Sequence, residues 1–181
     1  MKDPNPNLRT ALTAAIPNLR AFAVSLCSDP HLANDLVQET LLKAWANRDK
    51  FAEGTNFKAW LFTILRNTYF SGLRKSRREV QDVDGAMAST LASAPEQPGH
   101  LDLADFTKAL QQLSADQREA LLLIGAEGFS YDEVAVIAGC APGTVKSRVN
   151  RARARLAEVM GMNSPEELAM DASIQAVVQR P

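Results

Sequence analysis

Between Ser130 and Leu156 the sequence has room for little other than two helices joined by a tight turn. Ser130-x-x-Glu133 is a capping-box pattern, in which a hydroxyl and a carboxylate satisfy backbone N–H groups at a helix start. The helix it opens ends at Gly139, Ala141-Pro142-Gly143 forms the turn, and a last helix is predicted over residues 144–160. At about 3.6 residues per turn, Val145, Val149, Ala152 and Leu156 fall on one inward stripe. Ser147, Asn150, Arg151 and Ala154 lie opposite. Lys146 and Arg153 sit on one flank, Arg148 and Arg155 on the other. From Gly143 to Leu156 there are five cations and no anion. A modest outward face between cationic flanks suits a helix in the major groove, with side chains at base edges and cations at the phosphate walls. The preceding helix, with Val134, Ile137 and Ala138 inward, braces it.

Bulk charge does not announce such a partner, since the formal net charge is only -1. Its distribution does. Residues 1–79 hold 12 Lys and Arg against 7 Asp and Glu, whereas residues 80–105 hold none against 5. Two basic-to-neutral blocks therefore flank an acidic connector. Cys27 and Cys140 stand far apart in apolar settings and read as small core residues, with no metal-ligand spacing. His31 and His100 are isolated and read as surface residues. No clustered carboxylates, Cys/His pair or phosphate-cradling loop suggests catalysis, a metal or a cofactor. No apolar run is expected to reach the ~20 residues that span a bilayer, and the start lacks a signal-peptide core. These features point to a cytoplasmic setting.

The rest of the chain also reads as helical. Pro17 fits a helix's first turn, with Ile16, Leu19, Ala23 and Leu26 on one stripe. Asp29-Pro30 starts a helix that runs to about residue 49. The segment 51–56, with Gly54, reads as a tight loop, and a long helix follows over residues 57–79. Residues 80–101 carry two prolines, small residues and no cation, as in a flexible linker. Asp102 caps a short helix with Leu103, Phe106, Leu110 and Leu113 on one face. Ser114-x-x-Gln117 is a capping box opening a helix that ends near Gly128. No alternating strand pattern occurs. The expected architecture is all-α: a helical domain at 8–79, an acidic linker at 80–101, a helix-turn-helix domain at 102–160 and a weakly helical tail at 161–181.

The long helix has Leu61, Ile64, Leu65 and Thr68 inward, with Arg66, Phe70, Arg74 and Arg77 projecting the other way. An aromatic between cations can stack on an unpaired base. Packing of Tyr69 and Phe70 against a neighbouring helix fits the pattern equally well, and Trp45 and Trp60 read as core. The helix after Asp29 shows Asp35, Gln38, Glu39, Lys43 and Arg48 beside Leu36, Leu42 and Trp45, a mixed edge that could meet a partner protein.

The strings DLVQETLLKAWANRDKF (35–51) and NFKAWLFTILRNTYFSGLRKSRR (56–78) resemble regions 2.2 to 2.4 of bacterial sigma factors. The string at 113–156, LSADQREALLLIGAEGFSYDEVAVIAGCAPGTVKSRVNRARARL, resembles region 4. With no room for regions 1.1 or 3, the chain is similar to the extracytoplasmic-function (group IV) sigma factors. DQREALLLIGAEGFSYDEVA and the HLDL before it resemble the EcfG-like general stress response subgroup of alphaproteobacteria.

The resemblance implies roles. Asp35, Gln38, Glu39 and Leu42 would dock on the clamp helices of the polymerase β′ subunit, and region 4 on the β flap. Residues 53–57, with Asn56 and Phe57, would capture an unstacked -10 base, and Arg66, Asn67, Phe70 and Arg74 match the helix beside it. Thr144, Lys146, Ser147, Arg148 and Arg151 match the -35 recognition helix. It further implies promoter DNA and a NepR-like anti-sigma factor as partners, no membrane, no cofactor, and no catalysis by the chain itself. Two rivals are a PhyR-like mimic, which should lack the reading helix, and an ordinary helix-turn-helix regulator, which would not need the block at 35–78.

Overall fold

The computed structural model describes residues 6–52, 54–81 and 103–162. These form helices α1 (Pro6–Cys27), α2 (Pro30–Ala46), α3 (Phe57–Gln81), α4 (Leu103–Gln111), α5 (Ala115–Gly125), α6 (Tyr131–Ala138) and α7 (Pro142–Val159). No strand occurs among the described residues. Asp102, His100, most of the acidic connector and nearly all of the tail lie outside them.

The predicted caps at Asp29, Ser114 and Ser130 form. Asp29 Oδ1 accepts from His31 N at 2.8 Å and Leu32 N at 3.3 Å, opening α2. Ser114 and Gln117 cap α5 reciprocally, and so do Ser130 and Glu133 at α6. Each such cap contributes about 1 kcal/mol. Gly139 ends α6 with φ +63°, a left-handed conformation that a side chain would strain. α2 stops at Ala46, and a 3-10 turn over Arg48–Lys50 follows before the loop at Gly54. α5 ends at Gly125, ahead of Gly128, because Glu127 N and Phe129 N turn back onto the carbonyls of Leu122 and Leu123 at 3.1 Å each.

Two sequence expectations about α1 need correction. Pro17 lies inside this helix, not in a first turn. Thr13 and Pro17 are both exposed, so the carbonyl deprived of its partner faces water. The stripe Leu12, Leu19, Phe22, Ala23 and Leu26 is buried on both sides of the proline and carries the helix through. Second, Leu8–Cys27 is long and apolar enough, by length and composition, to cross a membrane, with mean hydropathy 1.3. Here its apolar stripe packs against other helices instead.

Residues of α1 meet Ala33, Leu36, Val37 and Ala44 of α2 and Leu61, Phe62 and Leu65 of α3. In the second half, Phe106 and Leu110 of α4, Leu121–Leu123 of α5, Val134 and Ile137 of α6, and Val145, Val149, Ala152 and Leu156 of α7 are buried together. Trp45 and Trp60 are half-buried against this core, not within it. Cys27 and Cys140 are likewise half-buried free thiols, and burial pushes the Cys27 thiol up.

The halves are not separate. Their apolar residues form one continuous cluster, with α3 against α6 and α1 against α5. Phe62 of α3 meets Phe129, just before α6, ring edge to face at 5.4 Å. The Arg118 guanidinium of α5 donates to the carbonyl of Leu26 at 2.8 Å, closing the end of α1, and to those of Leu110, Gln111 and Leu113 at the end of α4.

Candidate nucleic-acid interface

α7 keeps the face predicted for it. Val145, Val149, Ala152 and Leu156 are wholly buried, while Thr144, Lys146, Asn150 and Arg151 are exposed. Arg151 folds back on its own helix, its Nη2 donating to Ser147 Oγ at 2.6 Å and its Nε to the Ser147 carbonyl at 3.3 Å. That holds the guanidinium flat on the outward face, with Ser147 beneath it. Arg148 behaves differently. It is half-buried, and its Nη2 meets Asp116 Oδ2 of α5 at 3.2 Å. It ties α7 to α5.

On α2, Asp35, Gln38, Glu39 and Leu42 follow the i, i+3, i+4, i+7 spacing and share one exposed face. Leu42 is 71% exposed, the Glu39 carboxylate being held by Lys43 at 2.7 Å. A large exposed apolar side chain ringed by polar ones is the form of a docking edge.

At the start of α3, Asn56 Oδ1 accepts from Ala59 N at 3.1 Å and caps the helix. Phe57 is half-buried in an aromatic cluster, its ring 5.2 Å from Phe51 and 5.8 Å from Trp60. Glu53 lies outside the described residues. Asn67 and Arg74 are exposed, Arg74 donating to Ser71 Oγ at 3.0 Å. Phe70 is half-buried, between Tyr69 at 5.2 Å and the Arg66 guanidinium 4.7 Å over its ring. Both partners stand on α3 itself, so these contacts are neither packing against a neighbouring helix nor stacking on a base.

Arg66 departs from expectation. Its side chain does not project to solvent but meets Glu119 of α5 at 2.9 Å, where the carboxylate is 1% exposed. Helical periodicity within the first half could not foresee this, because the covering residue lies 53 positions further on. Sequence reasoning also missed an open cleft of about 330 Å³ between α2 and α3, lined by Lys43, Asn47, Lys50, Trp60, Asn67 and Ser71 among others. Trp60 offers a stacking surface there, and the lysines offer cations. The signal available was the i, i+4, i+7 spacing of Lys43, Asn47 and Lys50. Among the described residues, no three His, Cys, Asp or Glu side chains come together as a metal site.

The chain matches Sigma-70 region 2 over residues 12–79 and Sigma-70, region 4 over residues 103–156. It is 54% identical over 172 residues, 95% of both chains, to the ECF RNA polymerase sigma factor EcfG of Rhodopseudomonas palustris. The chain belongs to the extracytoplasmic-function sigma factors of RNA polymerase. As a sigma factor it is a transcription initiation factor, not an enzyme. Its α1–α3 half corresponds to region 2 and its α4–α7 half to region 4. It is similar to the sigma factor RpoE of Bartonella quintana, solved with the anti-sigma factor NepR, at 56% identity and TM-score 0.77 over 88% of this chain and 100% of that one. The PhyRSL–NepR complex of Sphingomonas sp. Fr1 shares the fold at TM-score 0.64 but only 19% identity, over 87% of this chain and 92% of that one.

Proposed function

We propose that this sigma factor serves the general stress response in the cytoplasm, delivering core RNA polymerase to promoters with a -35 duplex element and a -10 element that it helps to open. The α2 edge of Asp35, Gln38, Glu39 and Leu42 docks on the β′ clamp helices, and region 4 on the β flap. Asn56, Phe57, Arg66, Asn67, Phe70 and Arg74 engage the -10 strand, and Thr144, Lys146, Ser147, Arg148 and Arg151 engage the -35 groove. Domain limits of 8–79 and 102–160, joined by the linker 80–101, fit this division. A NepR-like anti-sigma factor restrains the chain; the similar RpoE of Bartonella quintana is in complex with the anti-sigma factor NepR, which supports this.

One observation carries this reading: α7 presents exposed Thr144, Lys146, Asn150 and Arg151 on a helix whose opposite stripe is wholly buried. The same intact reading helix disfavours a mimic of the factor. The exposed α2 edge disfavours a regulator that acts on duplex alone.

The test is run-off transcription with core polymerase on a promoter library. The free chain should give little specific footprint, because two tethered weak sites lack the right spacing until core enzyme fixes it. Arg151→Ala should cut -35-dependent transcription roughly ten- to hundredfold, as one lost base contact costs about 1–3 kcal/mol. Undiminished transcription would remove Arg151 from the readers.

Lys146→Ala should weaken binding across sequences instead. The slope of log affinity against log salt should fall by about 1 for the lost phosphate contact. An unaltered slope in holoenzyme titrations would contradict that role.

A further inference from the structure

The cations of α7 are not offered to DNA on equal terms. Lys146 is exposed. Arg151 turns onto Ser147 at 2.6 Å, and Arg155 onto Glu158 at 2.7 Å, both partners standing on α7 itself. Arg148 reaches off the helix. Its Nη2 lies 3.2 Å from Asp116 Oδ2 in the first turn of α5. Its Nη1 donates to Cys140 Sγ at 3.7 Å, in the turn between α6 and α7. One guanidinium thus joins α5, that turn and α7. The Arg148 side chain is 21% exposed and that of Asp116 46%. A pair this open to water adds little stability. What it changes is where a charge stands. A guanidinium stays charged at any ordinary pH and, once free, binds the phosphates it meets. Such contacts carry no sequence information.

We propose that Asp116 is a specificity-determining residue for the -35 element, acting through Arg148. By holding the guanidinium against α5, it withholds one cation from phosphates at large. Tethered, Arg148 meets a phosphate only when the groove arrives in register with α7. Freed, it would follow the phosphate on any sequence. This rests on the -35 assignment of α7 made above.

Discrimination is a difference of two affinities, and lowering the non-specific one raises it. A promoter reader gains from this because non-specific DNA competes in vast excess. A carboxylate beside a DNA-reading helix weakens binding to every sequence. Paired with a tethered arginine, it weakens the wrong sequences most. Asp116 suits the position. A carboxylate in the first turn of α5 is favoured by the helix dipole. Ser114 and Gln117 cap that helix independently of it.

The test measures the affinity of holoenzyme for one promoter duplex with its -35 element either intact or scrambled. Asp116→Asn keeps the shape of the side chain and removes its charge. Affinity for the scrambled duplex should rise up to about eightfold at about 0.1 M salt, the counterion release of one added phosphate contact, with a salt slope steeper by about 1. Affinity for the intact duplex should rise much less, so the ratio between the two falls several-fold. Asp116→Glu should keep the wild-type ratio. Beside Arg148→Gln, Asp116→Asn should leave the ratio where Arg148→Gln alone puts it. Asp105→Asn, which removes a carboxylate paired with Lys108 on α4, is the reference for added charge. Equal gains on both duplexes, as for Asp105→Asn, would reduce Asp116 to bulk charge and overturn the proposal. A loss on the intact duplex with no change on the scrambled one would overturn it too, by marking a purely structural role. An effect of Asp116→Asn that persists beside Arg148→Gln would overturn the route through Arg148. Wild-type holoenzyme that binds both duplexes alike would sink the -35 assignment of α7, and the proposal with it.

Discussion

Truncating Phe62 to alanine should destabilise the fold by about 3–5 kcal/mol, the range for a buried aromatic whose cavity cannot fully collapse. Phe62 is 1% exposed. Its ring meets Phe22 of α1 edge to face at 5.0 Å and Phe129 at 5.4 Å. It thus belongs to the core of region 2 and to the seam with region 4, and its loss should loosen both. The melting temperature, followed by circular dichroism, should fall by about 10 °C, given about 2–4 °C per kcal/mol for a chain of this size. Leu42→Ala, at a position 71% exposed, should leave it unmoved. Equal melting of the two variants would mean that Phe62 does not hold the halves together.

Glu119→Gln should raise the melting temperature at about pH 8 and flatten its dependence on pH between about 5 and 8. Burial pushes the Glu119 carboxyl up from 4.5 to about 7, against the opposing pull of Arg66 from α3 and Arg148 from α7; Asp116 on its own helix adds to the rise. Tyr69 on α3 is the other titratable group nearby, and burial raises it too. A carboxyl whose folded-state pKa lies above its unfolded value binds protons more readily in the fold. Its stabilisation is therefore complete below about 4.5 and is lost as pH rises through about 7. Glutamine keeps the shape and cannot ionise, so it escapes the penalty at high pH. A variant that keeps the wild-type pH profile would show that Glu119 is not the group responsible.

Local chemistry made most of the fold legible. Asp29, Ser114 and Ser130 cap helices because the hydroxyl or carboxylate, the spacing and the backbone donors all lie within four residues. The α7 stripe was equally readable, since its period repeats without interruption from Val145 to Leu156. Pro17 misled because proline's cost depends on whether the freed carbonyl meets water, which only the tertiary structure decides. The position of Arg66 was out of reach for a related reason. Its outward direction is correct for region 2 alone, and Glu119, which covers it, belongs to the other half. Arg148 was legible as a flank of α7 but not as a brace, because Asp116 lies on α5.

The apolar composition of α1 bears on how the chain is made. Synthesis runs from amino to carboxyl end, so α1 leaves the ribosome well before α3. Its stripe of Leu12, Leu19, Phe22 and Leu26 waits for Leu61, Phe62 and Leu65, about forty residues later. At about 5–20 residues per second, that is a delay of several seconds in which α2 alone is there to shelter the stripe. Nascent chains halted between the two helices should be the most prone to clump or to recruit chaperones, and the hazard should end once α3 emerges.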